Sequence, residues 1–194
     1  MPGIGVLGGT FDPVHVGHLV AAVSVRHALG LDVVLLVVAN QPWQKEGIRA
    51  ITPAADRLAV VTAAVGQVEG VEASDLEIRR GGMSYTADTL DELSDLHPGT
   101  PLVLVLGADA AAGLGTWERA EEVKARARLA VVNRPGAALP DLPAGWRADV
   151  VEIPNLEVSS TDLRNRIMDG RPVDYLVPAA AMREIRLRGL YALL

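Results

Sequence analysis

The chain has 194 residues, 49% hydrophobic and 22% charged, a composition that suits one compact domain, residues 1–194, with a sizeable core and excludes disorder. Its 18 basic and 24 acidic residues leave a formal charge of −6, which argues against a broad basic face for nucleic acid, although a local cationic pocket remains compatible. The absence of cysteine removes disulfides, thiolate metal sites and cysteine nucleophiles together.

Apolar, β-branched runs alternate with helical patterns along the whole chain. Strands are predicted over Ile4–Leu7, Val33–Val38, Val71–Ile78, Leu102–Leu106, Leu129–Val132 and Val150–Ile153. Helices are predicted over Gly17–Leu29, Pro53–Val65, Ala87–Leu96, Glu118–Ala127, Thr161–Met168 and Pro178–Leu187, with Pro53 and Pro178 in first turns that tolerate proline and Gly189 as a stop. Most strand runs are continuously apolar, as strands covered on both faces are. The expected fold is α/β: a Rossmann-like, doubly wound, mainly parallel sheet with helices on both faces, and a surface loop over residues 134–149. The opening residues lack the positive region of a secretory signal. The longest fully apolar run, Val33–Ala39, falls far short of the ~20 residues that span a bilayer, so a soluble cytoplasmic protein with no membrane partner is expected.

In such a fold ligands bind beyond the carboxyl ends of the strands, so the residues just after each strand matter most. Gly3-Ile4-Gly5-Val6-Leu7-Gly8 spells the dinucleotide fingerprint, but its glycines lie within the first strand rather than after it. The stretch Gly8-Gly9-Thr10-Phe11-Asp12-Pro13-Val14-His15-Val16-Gly17-His18 does stand between a strand and a helix. Paired glycines allow backbone to approach a ligand, and the following helix presents its positive end to anions. His15 and His18 are spaced to converge on one volume, with Gly17 expected to keep the space between them open. Two unrelated surface histidines, or half of a zinc site completed by carboxylates, His27 or His97, are the competing readings.

A second cluster, Val158-Ser159-Ser160-Thr161-Asp162-Leu163-Arg164, also stands between a strand and a helix. It reads as a helix cap with a capping-box-like Ser159/Asp162 spacing, and its hydroxyls and guanidinium are expected to face an anion at the positive end of the helix.

These two stretches resemble the H-x-G-H and I-S-S-T-x-x-R motifs of the nucleotidyltransferase superfamily, and more closely the bacterial nicotinate-mononucleotide adenylyltransferases, with Val158 in place of isoleucine. The resemblance runs from Gly5 to Tyr191, including a final Leu190-Tyr191 pair typical of the family's end. It implies that Gly8, Gly9, Thr10, Phe11, His15, His18, Gly107, Asp109, Ser159, Ser160, Thr161 and Arg164 bind ATP, with His15, His18, Lys45 and Arg164 in catalysis. On the acceptor side, Ser84-Tyr85-Thr86-Ala87-Asp88-Thr89-Leu90 and Gly107-Ala108-Asp109 followed by Trp117 resemble family segments. They imply that Lys45, Tyr85, Thr86, Trp117, Glu118 and Arg134 bind nicotinate mononucleotide, with the Trp117 indole stacked on the pyridine and the amides near Thr86, which reads as a helix cap, and Glu118 holding its carboxylate. The loop Pro42-Trp43-Gln44-Lys45 departs from the family's usual Pro-Pro-His-Lys, and Glu118 stands where many relatives carry an aromatic residue.

The implied reaction is attack by the mononucleotide 5′-phosphate on the α-phosphorus of ATP, giving nicotinate adenine dinucleotide and pyrophosphate by positioning and electrostatics without a covalent intermediate. Mg²⁺ would bind mainly through the ATP phosphates, with no dedicated protein metal site and with Asp109 orienting substrate. A sister transferase using nicotinamide mononucleotide or phosphopantetheine, a nucleotide-binding regulator without turnover, and a homo-oligomer all remain open at this point.

Overall fold

The computed structural model describes residues 3–42, 50–138 and 141–192. Its sheet has six strands: β1 (Ile4–Gly9), β2 (Val33–Val38), β3 (Val71–Ser74), β4 (Leu102–Gly107), β5 (Ala127–Asn133) and β6 (Ala148–Glu152). They lie in the order β3-β2-β1-β4-β5-β6 and every neighbouring pair is parallel. The helices are α1 (Val16–Leu29), α2 (Ala54–Val65), α3 (Leu76–Arg80), α4 (Thr86–Leu96), α5 (Ala108–Ala112), α6 (Ala120–Arg126), α7 (Ser160–Met168) and α8 (Ala179–Leu187).

Successive side chains of a strand point to opposite faces, and the apolar runs therefore feed two cores. Leu7, Val34, Leu36, Val103 and Val105 pack with α1, α2, α7 and α8 on one face. Ile4, Val6, Val37, Leu104 and Leu106 pack with α3, α4, α5 and α6 on the other. Strand order reverses beside β1, which has β2 on one side and β4 on the other, so a crevice opens beyond the carboxyl ends of β1 and β4.

The strand predicted over Val71–Ile78 stops at Ser74. Ser74 Oγ accepts the Leu76 N–H at 3.4 Å, and the turn of α3 buries both Leu76 and Glu77, a consecutive pair that a strand would split between faces. The helix predicted from Glu118 begins at Ala120, because Arg119 adopts φ 57°. Thr86 is the first residue of α4 rather than its cap; extended Tyr85 precedes it, and no side chain caps that end. The five-residue α5, too short to show a period, goes unseen in the sequence.

Candidate active site

Gly8 and Gly9 close β1, paired with Val37 and Val38 of β2. A side chain at Gly9 would meet the Phe11 ring at 2.8 Å, so this glycine makes room for Phe11 as well as for a ligand. Phe11, buried with φ 48°, sets its ring edge-on to His18 with centroids 5.0 Å apart. It thus backs an imidazole from below the surface.

His15 and His18 do converge. Their rings stack at 3.7 Å with 28° between planes, and His18 Nδ1 accepts the His15 backbone N–H at 3.2 Å. With Nδ1 accepting, a neutral His18 carries its proton on Nε2. His15 is 8% exposed, and burial lowers its pKa from the ordinary 6.5 to about 4, so it is neutral at pH 7. Its Nδ1 is buried without a hydrogen-bond partner. The local cationic pocket therefore draws no charge from His15. Gly17 does not hold the imidazoles apart as expected: a Cβ there would lie 3.1 Å from His15 Nδ1 and 3.2 Å from Val158 Cγ1. Its lack of a side chain lets the second cluster close onto the first.

The loop between β1 and α1 is pinned through its carbonyls. Thr10 O accepts from Arg57 Nη1 at 2.7 Å, Asp12 O from Arg164 Nη1 at 2.6 Å, and Pro13 O from Ser160 Oγ at 2.9 Å. The last two bonds join the two motifs across about three quarters of the sequence, and all three engage negative dipole ends of a loop proposed to face anions. Ser160 thus serves as a rivet, and Thr161 Oγ1 accepts from Arg164 Nη2 at 3.2 Å, fixing the guanidinium. Ser159 caps α7 by accepting the Asp162 N–H at 3.2 Å, while the Asp162 carboxylate turns away to pair with Arg166.

A cleft of about 190 Å³ lies beside this loop, floored by Val6, Leu104 and Leu106. Gly8, Gly9 and Thr10 form one side; Tyr85, Thr86, Trp117 and Glu118 form another. Trp117 is half-buried against the core around α4 and also faces the cleft, so it serves packing and lining together. Because no side chain caps α4, the first-turn N–H groups beside Thr86 keep their capacity to receive an anion. His15, His18 and Arg164 border the loop between β1 and α1 outside the cleft lining, and neither Gly107 nor Asp109 lines the cleft, although their neighbour Ala110 does. Arg134 is exposed after β5 and apart from the lining. Trp43, Gln44 and Lys45 lie outside the described residues.

Three site residues escape the sequence reading. Arg57, 1% exposed, donates to Thr52 O, Thr10 O, Ala39 O and Asn40 O, so one guanidinium ties α2 to the loops after β1 and β2. Glu77, 6% exposed, lines the cleft and accepts from Thr89 Oγ1 at 2.6 Å, while Arg80 Nη2 donates to that hydroxyl at 3.0 Å. Tyr191 donates to the carboxylate of buried Asp12. A signal existed only for Arg57, which shares a helical face with Val60, Val61 and Ala64, all buried.

The sequence profile of the cytidylyltransferase-like family matches residues 6–166. The chain is 42% identical over 193 residues to a probable nicotinate-nucleotide adenylyltransferase of Corynebacterium kroppenstedtii, covering 98% of this chain and 91% of that protein. It is 45% identical over 187 residues to a probable nicotinate-nucleotide adenylyltransferase of Streptomyces coelicolor, covering 95% and 98%. Among solved structures, Plasmodium falciparum nicotinic acid mononucleotide adenylyltransferase complexed with NaAD superposes with a TM-score of 0.77 at 18% identity, covering 98% of each chain; at that identity the likeness concerns the fold.

Proposed function

The chain belongs to the cytidylyltransferase-like family, and on that footing we propose that its crevice joins ATP to nicotinate mononucleotide, releasing pyrophosphate. It is a nicotinate-nucleotide adenylyltransferase of NAD biosynthesis, with a Rossmann-like sheet. We read residues 1–194 as one nucleotidyltransferase domain acting in the cytoplasm; among the described residues no helix is long and apolar enough to cross a membrane.

The observation that carries the site assignment is the joining of the two phosphate motifs by Arg164 and Ser160 at Asp12 and Pro13, next to a cleft walled by Thr86 and Trp117. In this reading the triphosphate lies along Gly8, Gly9 and Thr10 toward the start of α1. An oxygen of the mononucleotide phosphate forms a bond to the α-phosphorus, and the bond from that phosphorus to the bridging oxygen breaks, leaving pyrophosphate. His18 Nε2–H donates to the charge growing on the phosphate oxygens, Arg164 and the helix ends balance the remainder, and Lys45 is assigned a further cationic role by the family resemblance alone. His15, neutral and stacked on His18, fixes that ring's plane. Trp117 stacks on the pyridine, and the N–H groups at Thr86 receive the carboxylate that separates nicotinate from nicotinamide.

Among the described residues no group of three His, Asp or Glu side chains could hold a metal ion. By the family resemblance a Mg²⁺ ion would enter held mainly by the ATP phosphates and would screen their charge. The test is pyrophosphate release from ATP with nicotinate mononucleotide, nicotinamide mononucleotide or phosphopantetheine as acceptor. Nicotinate mononucleotide is expected to give the highest kcat/KM; preference for either of the others overturns the acceptor assignment, and no release above background overturns catalysis.

A further inference from the structure

Arg119 follows directly on Trp117 and Glu118, and its φ of 57° is a conformation in which residues other than glycine are uncommon. Its side chain reaches back across the cleft wall. Nη1 is ion-paired with Asp88 in the first turn of α4, and Nη2 lies 3.3 Å from Asp91 Oδ2 one turn further on. On its own side Arg119 is held bidentately by Glu122 of α6, Nε to Oε1 at 2.9 Å and Nη2 to Oε2 at 2.6 Å. Arg126 adds a second cation to Asp91 at 2.8 Å. Asp88 stands two residues beyond Thr86, and Arg119 two beyond Trp117, so this network joins the two segments that together supply one side of the cleft.

We propose that Arg119 is a positioning residue that clasps the Trp117–Glu118 wall to the first turn of α4 and thereby sets how tightly the acceptor mononucleotide is held. The proposal rests on the acceptor assignment above. Side chains of Arg119 and Asp88 are 38% and 36% exposed, so each pair is partly solvated and modest by itself. A shared guanidinium on three carboxylates has more hold than one pair, and its pull weakens as salt rises. ATP, lying at the Gly8–Gly9 side, should feel little of it.

The experiment compares KM for each substrate in the wild type, Arg119→Asn, Arg119→Lys, Asp88→Asn and the Arg119→Asn/Asp88→Asn double variant. Asn tolerates the left-handed backbone, so the first variant removes charge without adding strain. Arg119→Asn is expected to raise KM for nicotinate mononucleotide about fivefold, as the loss of an ion-pair network would, with KM for ATP and kcat nearly unchanged. Lysine restores part of the affinity, Asp88→Asn has a similar effect, and the double variant is little worse than either single one. Raising salt from about 0.05 to about 0.5 M should increase the acceptor KM of the wild type more steeply than that of Arg119→Asn. Equal rises in both KM values, additive single effects, or a lowered melting temperature with an unchanged acceptor KM overturn the clasp alone. Absence of wild-type turnover with nicotinate mononucleotide overturns the functional reading and the clasp's ligand with it.

Discussion

The Tyr191 hydroxyl donates a 2.7 Å hydrogen bond to Asp12 Oδ1, linking positions 179 residues apart. Asp12 is 1% exposed, and its carbonyl also accepts from Arg164, so the bond steadies the same loop that Arg164 grips. Tyr191→Phe is expected to cost about 1.5–3 kcal/mol, the range for a hydrogen bond to a charged group, measured by urea denaturation. Burial, then the Asp12 charge, raises the Tyr191 pKa above its ordinary 10.0. Above about pH 10 the unfolded chain therefore loses this proton while the folded chain keeps it, and stability falls as pH rises. The Phe variant should lack that part of the slope; an identical slope in both proteins would assign it to other groups.

His15 gives a slope of opposite sign at low pH. Its folded pKa of about 4 lies below the ordinary 6.5, so between those values the unfolded chain takes up a proton that the folded chain refuses. Stability should be fully present above pH 6.5 and fall by about 3 kcal/mol as pH drops toward 4. His15→Gln should flatten this segment of a urea-midpoint profile. An unchanged profile would mean that His15 protonates in the folded protein without penalty.

His18→Ala is expected to lower kcat by about 10²-fold or more, the usual effect of losing a transition-state donor, with a near-native circular dichroism spectrum. Wild-type-like turnover would remove His18 from the chemistry.

Trp117→Ala should raise KM for nicotinate mononucleotide far more than KM for ATP, and Trp117→Phe should recover part of the loss. Trp117 both packs and lines the cleft, so the ratio of the two KM values is the informative readout. Equal changes would reduce it to a packing residue.

Arg57→Leu should destabilise the protein by about 3–5 kcal/mol in urea, because four carbonyls lose a charged donor and a leucine satisfies none of them. A variant within 1 kcal/mol of wild type, about the median effect of a point mutation, would show that water replaces the guanidinium at little cost.

The strands of the sheet and the two stretches that the structure joins were readable because each is written in contiguous residues: apolar runs for the strands, Gly8 to His18 and Val158 to Arg164 for the joined stretches. What escaped depends on partners distant in sequence. Nothing adjacent to Glu77 announces that Thr89 will bind it, and Tyr191 has no visible task until Asp12 is brought to it. The break of β3 at Ser74 was hidden by an alternation that continues into α3, where helical turning, not pleating, decides which side chains are covered. A Cβ at Gly17 would crowd Val158 Cγ1 at 3.2 Å as well as His15 Nδ1 at 3.1 Å, and only the second of these neighbours is near it in sequence.

The carbonyls of Asp12 and Pro13 are held by residues translated long after them. A ribosome-bound or prematurely terminated polypeptide that stops before Ser160 carries the glycine and histidine stretch intact yet lacks the donors that shape it.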